Sequence, residues 1–219
     1  MSVAENIAQI KQIIDDSGQE ATLVVVSKTI DEEKIKQAID CGCQVFGENK
    51  VSEAKAKWIN LKNQHKNIKL HLIGHLQSNK AQDAVQIFDV IQTLDSEKLA
   101  QILTKEMTKQ KTLGQNKFPE IFVQINIGEE DQKSGIKPSD AKEFIHKMIN
   151  EYHLPITGVM AIPPLNCDPT IYFALLRKIA NENNLKNISM GMSEDFKIAI
   201  AMGANFIRIG TAIFGERSI

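Results

Sequence analysis

The chemistry-bearing residues of this chain sit where apolar runs end. Thr22 to Thr29 reads T-L-V-V-V-S-K-T, so Lys28 closes a stretch of branched apolar side chains. A partly buried amine sheds its proton more readily than a solvated one and can attack a carbonyl to form a Schiff base. The plainer reading is a lysine that simply marks where a strand surfaces. Arg208, one of three arginines with Arg177 and Arg217, lies between Phe206-Ile207 and Ile209. A guanidinium in an apolar strand needs a partner, which can be a structural ion pair or a bound ligand. Two further stretches, Gly191-Met192-Ser193 and Gly210-Thr211, combine glycine with a hydroxyl. Ser193 has the position of a helix N-cap, where free amides and the dipole's positive end attract anions. An ordinary cap and a turn glycine would look the same.

Such residues need elements to bring them together. The run at Thr22–Thr29 is apolar on successive residues, as strands of parallel sheets buried on both faces are. A Thr29-x-x-Glu32 capping box then predicts a helix to Asp40. Further strands are predicted at 44–49, 70–73, 88–94, 119–127, 156–162, 188–190 and 205–209, with helical patterns between them and one at residues 3–16 ahead of the first strand. Strands alternating with helices predict a single (β/α)8 TIM barrel spanning 1–219, with the additional N-terminal helix covering the place of a final helix. An open doubly wound sheet is the competing architecture. In either, the carboxyl ends of the strands carry the chemistry.

The whole composition narrows the partners. With 219 residues, 26 basic and 27 acidic side chains and a net charge of −1, bulk electrostatics do not favour nucleic acid. No apolar run is long enough for a membrane helix and no signal sequence opens the chain, so a cytoplasmic protein, not bound to membrane, is expected. Cys41, Cys43 and Cys167 read as reduced and structural. His71 and His75 span a strand and its turn rather than a helix, so no metal is expected.

Barrels commonly hold phosphate with the loops after strands 7 and 8, which here carry Ser193 and Gly210-Thr211. Barrel closure makes strands 1 and 8 neighbours, placing Lys28 and Arg208 beside that phosphate site. Pyridoxal 5'-phosphate (PLP) has the matching handles: an aldehyde for Lys28, a phosphate for Ser193 and Thr211, and a ring nitrogen for a partner on a strand. The motifs V-V-S-K-T, F-G-E-N, H-L-I-G-H-L-Q-S-N-K, K-S-G, G-V-M-A-I-P, S-M-G-M-S-E-D-F and I-R-I-G-T-A-I-F-G, running in order from Leu23 to Arg217, closely resemble the pyridoxal phosphate homeostasis proteins. These are similar to the barrel domain of alanine racemase standing alone.

The resemblance implies that Lys28 carries a Schiff base, that Arg208 faces the pyridine nitrogen, that Ser193, Gly210 and Thr211 take the phosphate, and that Asn49 and Met160 lie near the ring. His75 is given no role. It further implies a non-enzymatic PLP-binding protein that takes part in PLP homeostasis, with PLP-requiring apo-enzymes as further partners; a monomer is expected. The rivals are a PLP-dependent racemase or decarboxylase, and a cofactor-free Schiff-base lyase acting on a sugar phosphate. By the same resemblance, a racemase draws its second base, a tyrosine, from a further domain of a partner subunit. Tyr152 and Tyr172 are not expected at the barrel mouth.

Overall fold

The computed structural model describes residues 2–216, so Arg217 lies outside the described residues. The strands are β1 (Thr22–Val26), β2 (Val45–Glu48), β3 (Lys69–Leu72), β4 (Val90–Leu94), β5 (Glu120–Ile125), β6 (Ile156–Ala161), β7 (Asn187–Ser189) and β8 (Phe206–Ile209). Each pairs in parallel with the next, and β1 pairs with β8 from Thr22↔Phe206 to Val25↔Ile209, closing a TIM barrel. That last pairing rules out the open sheet. The helices are α1 (Val3–Asp16), α2 (Glu32–Asp40), α3 (Val51–Gln64), α4 (Ala81–Ile87), α5 (Glu97–Thr112), α6 (Ala141–Asn150), α7 (Thr170–Glu182), α8 (Phe196–Ala201) and α9 (Thr211–Phe214).

Strand alternation divides the apolar residues between two places. On β8, Ile207 and Ile209 join the large core between sheet and helices, whereas Phe206 packs with Val90, Phe122 and Met160 inside the barrel. α1 starts with a capping box of Ser2 and Glu5 and lies against α2 and α9. Asn6 Nδ2 donates to Ile213 O at 2.9 Å, tying α1 to the segment after β8.

Two predicted helix starts move. α2 begins at Glu32, and its N-cap is Asp31, whose carboxylate accepts from Lys34 N at 2.9 Å. Thr29 instead has φ 62°, in the left-handed region, while a capping residue is extended. α8 begins at Phe196, not just after Ser193, and the cap position belongs to Asp195. The segment S-E-D offers several residues of capping type, and the carboxylate of Asp195 turns back to accept from Met192 N at 2.6 Å.

Candidate functional site

A cavity of about 550 Å³ opens at the carboxyl ends of the strands. Lys28, Asn49, Ser193, Arg208, Gly210 and Thr211 all line it. Met160, also placed near the ring from sequence, is buried in the interior cluster beside Ser189 in register and is not among the lining residues described. Ile162, Leu165 and Ile198 give the cavity an apolar wall that remains exposed. Cys167 is exposed on the same rim, donating to Pro164 O at 3.0 Å, so it is not a structural core thiol.

Lys28 is held through the backbone on either side of it. Ser27 Oγ donates to Glu48 Oε1 at 2.8 Å, and Ser27 O accepts from Lys57 Nζ at 2.8 Å. Thr29 N donates to Glu53 Oε1 at 2.5 Å. Lys57 bridges Glu48 at 3.2 Å and Glu53 at 2.7 Å, and Trp58 Nε1 donates to Glu48 at 3.0 Å. Burial pushes the Glu53 carboxyl up, but the hydrogen bonds from Lys57 and Thr29 outweigh it and hold the carboxyl below its ordinary value. Sequence reasoning missed this clamp. Its legible trace is the Glu53/Lys57 pair, four residues apart on one helix face.

The Asn49 backbone packs closely against Gly74, two residues past the end of β3, where a Cβ would collide with it. On the opposite side, Ser193 Oγ accepts from Ala212 N at 3.2 Å, joining the loop after β7 to the first turn of α9. Ser193 therefore belongs to the α9 start rather than to α8. A hydroxyl that accepts one bond can still donate another.

Arg208 is buried, yet its partners are a hydroxyl and a carbonyl rather than a carboxylate. Nη1 donates to Ser189 Oγ at 2.7 Å and Nη2 to Ala161 O at 2.9 Å. Burial lowers its pKa to about 10, with Asp195 pulling the other way, so it stays cationic at neutral pH. His75 pairs with Asp95 at 3.2 Å, is exposed, and is not among the cavity's described lining. Tyr152 donates to Glu97 at 2.6 Å and is not among the cavity's described lining, and Tyr172 packs against the helical side of the core. Among the described residues no group of His, Cys, Asp and Glu could hold a metal ion, and no helix is long and apolar enough to cross a membrane.

A parallel barrel whose carboxyl mouth gathers a lysine, an arginine and two hydroxyl-bearing loops defines a class, and comparison with known proteins names it. The family described as "Alanine racemase, N-terminal domain" matches residues 1–218. The pyridoxal phosphate homeostasis protein of Pasteurella multocida (strain Pm70) is 36% identical over 234 aligned positions, covering 99% of this chain and 98% of the relative. The solved structure of PipY from Synechococcus elongatus PCC7942 with PLP bound superposes with a TM-score of 0.85 at 33% identity, covering 98% of this chain and 100% of that one. Alanine racemase from Corynebacterium glutamicum shares the fold at a TM-score of 0.68 and 16% identity, with 99% of this chain matching 61% of the enzyme. The chain belongs to the pyridoxal phosphate homeostasis family within the alanine racemase N-terminal class.

Proposed function

We propose that this protein binds PLP reversibly as a Schiff base on Lys28 and serves PLP homeostasis in the cytoplasm without substantial amino acid turnover. The observation that carries this reading is the convergence of Lys28, Arg208, Ser193, Gly210 and Thr211 on one cavity. The residues fit the cofactor's chemistry. Lys28 supplies the amine and Arg208 faces the ring nitrogen. Ser193 and Thr211 offer their hydroxyls to the phosphate, Gly210-Thr211 adds unhindered backbone, and Asn49 flanks the ring. Met160 acts from below by packing rather than by contact. Bound PLP supplies an electron sink for carbanion chemistry, and an arginine at the ring nitrogen weakens that sink by disfavouring its protonation.

Racemisation needs an acid/base group on each face of the adduct. Lys28 can serve one face. Among the described residues neither tyrosine lines the cavity, and the carboxylates that do, Glu194 and Asp195, adjoin Ser193, the residue assigned to the phosphate. These positions support a carrier over a racemase, and apo-enzymes that need PLP are the recipients such a carrier would serve.

Purified protein incubated with PLP should show a visible absorbance band, and borohydride should fix the label on Lys28. Lys28→Ala should fold, lose the band and take no label. A label mapped to another lysine would refute the assignment. Incubation with L- and D-alanine in deuterated water decides between carrier and enzyme: rapid α-proton exchange with inversion, lost in Lys28→Ala, would make the protein a racemase.

A further inference from the structure

We propose that Ser189, Gln92 and His71 form a buried positioning relay that aims the Arg208 guanidinium at the ring-nitrogen end of the cavity and fixes the hydrogen-bond polarity there. This rests on the reading of the cavity as a PLP site.

The relay crosses the barrel interior. Arg208 Nη1 donates to Ser189 Oγ at 2.7 Å, Ser189 Oγ donates to Gln92 Oε1 at 2.6 Å, and Gln92 Nε2 lies 2.8 Å from His71 Nδ1. All four residues are buried. A guanidinium only donates, so it sets the direction of everything behind it. Ser189 must present a lone pair to Arg208 and send its proton onwards. Gln92 must therefore turn its oxygen to Ser189 and its amide hydrogens to His71. His71 must then accept at Nδ1 and carry its proton on Nε2. Burial supports that state by lowering the His71 pKa to about 3, against the pull of Asp89.

The geometry assigns the relay a purpose. A buried arginine paired to a carboxylate would have its charge locally offset, whereas one anchored on a hydroxyl and on Ala161 O retains it. Two anchors on separate terminal nitrogens also fix the plane of the guanidinium. Its remaining N–H groups are then preorganised rather than free to rotate, which lowers the cost of donating to an unprotonated ring nitrogen. Ser189, Gln92 and His71 do not line the cavity. They act only through Arg208.

The first test needs no cofactor. In protein labelled with 15N-histidine, the His71 ring at neutral pH should give the pattern of the neutral Nε2–H tautomer. An Nδ1–H tautomer or an imidazolium would overturn the relay. The second test compares PLP with its carbocyclic analogue, in which the ring nitrogen is replaced by CH. Ser189→Ala, which removes one hydrogen bond to the charged Arg208, should weaken PLP by about tenfold, and Gln92→Leu, which removes only the acceptor that orients Ser189, should weaken it by less, while the analogue's affinity is unchanged in both. Ser189→Thr, which restores the hydroxyl, should recover PLP binding. Equal weakening of both ligands in both variants would reduce these residues to packing and refute the proposal. Should wild-type protein take neither ligand, the proposed function falls, while the tautomer alone still decides the relay.

Discussion

Arg208 and His71 show how burial selects charge at single residues. Both lose solvation, but arginine starts from so high a pKa that a fall to about 10 leaves it charged, whereas histidine falling to about 3 is neutral throughout the working range. The histidine makes stability pH-dependent. Unfolded, it takes up a proton as pH drops below its ordinary value of 6.5; folded, it does so only near 3. Its contribution is thus complete above about pH 6.5 and is lost as pH falls towards the folded value. Urea unfolding should show wild type losing about 1.6 kcal/mol more than His71→Gln between pH 6.5 and 5, as the slope rises towards about 1.4 kcal/mol per unit of pH. Parallel losses in the two proteins would mean that His71 is protonated when folded. A companion change at the phosphate end, Ser193→Ala with Thr211→Ala, should weaken PLP far more than pyridoxal, by roughly 1.5 to 3 kcal/mol for each bond to a charged group. Equal weakening would place the phosphate elsewhere.

Helix α3 is the element that makes a flexible side chain addressable. Through Glu53, Lys57 and Trp58 it reaches the residues flanking Lys28 and holds a loop in which Thr29 is left-handed. Glu53→Ala leaves Thr29 N and Lys57 short of a partner. We expect about 1–3 kcal/mol of lost stability and weaker PLP binding, with the absorbance maximum unmoved because nothing at the ring changes. Unaltered urea midpoint and affinity would show that α3 is a bystander. The elements themselves were legible in the sequence because the strands are short runs rich in branched apolar residues, whereas the helices carry apolar residues at helical spacing. Strand ends then located Lys28, Asn49, Ser193, Arg208, Gly210 and Thr211 at one mouth. Helix starts were less legible, since Thr29 and Asp31, or Ser193 and Asp195, are equally good caps by type and only backbone geometry separates them. The inward clustering of Met160 and the relay were not legible. Relay neighbours lie 19, 97 and 21 positions apart, and only the strand register brings them together.

At the scale of the whole molecule, binding and folding share one equilibrium. A ligand held only by the closed barrel stabilises it by mass action, about 2.7 kcal/mol at a concentration 100 times its Kd. For a chain of 219 residues that should raise Tm by roughly 5–10 °C, read by thermal unfolding with and without PLP. Lys28→Ala should lose most of the shift, and a full shift in that variant would mean that the amine contributes little to holding the ligand.

The seam between β1 and β8 carries a consequence in time. Lys28 lies just past the first strand and Arg208 on the last, and no partial barrel contains both beside each other. At about 5–20 residues per second of synthesis, the lysine emerges roughly 10–40 s before the arginine is joined to the chain. During that interval the nascent chain has an amine but no pocket. The proposed site therefore exists only in a molecule whose two ends have already met.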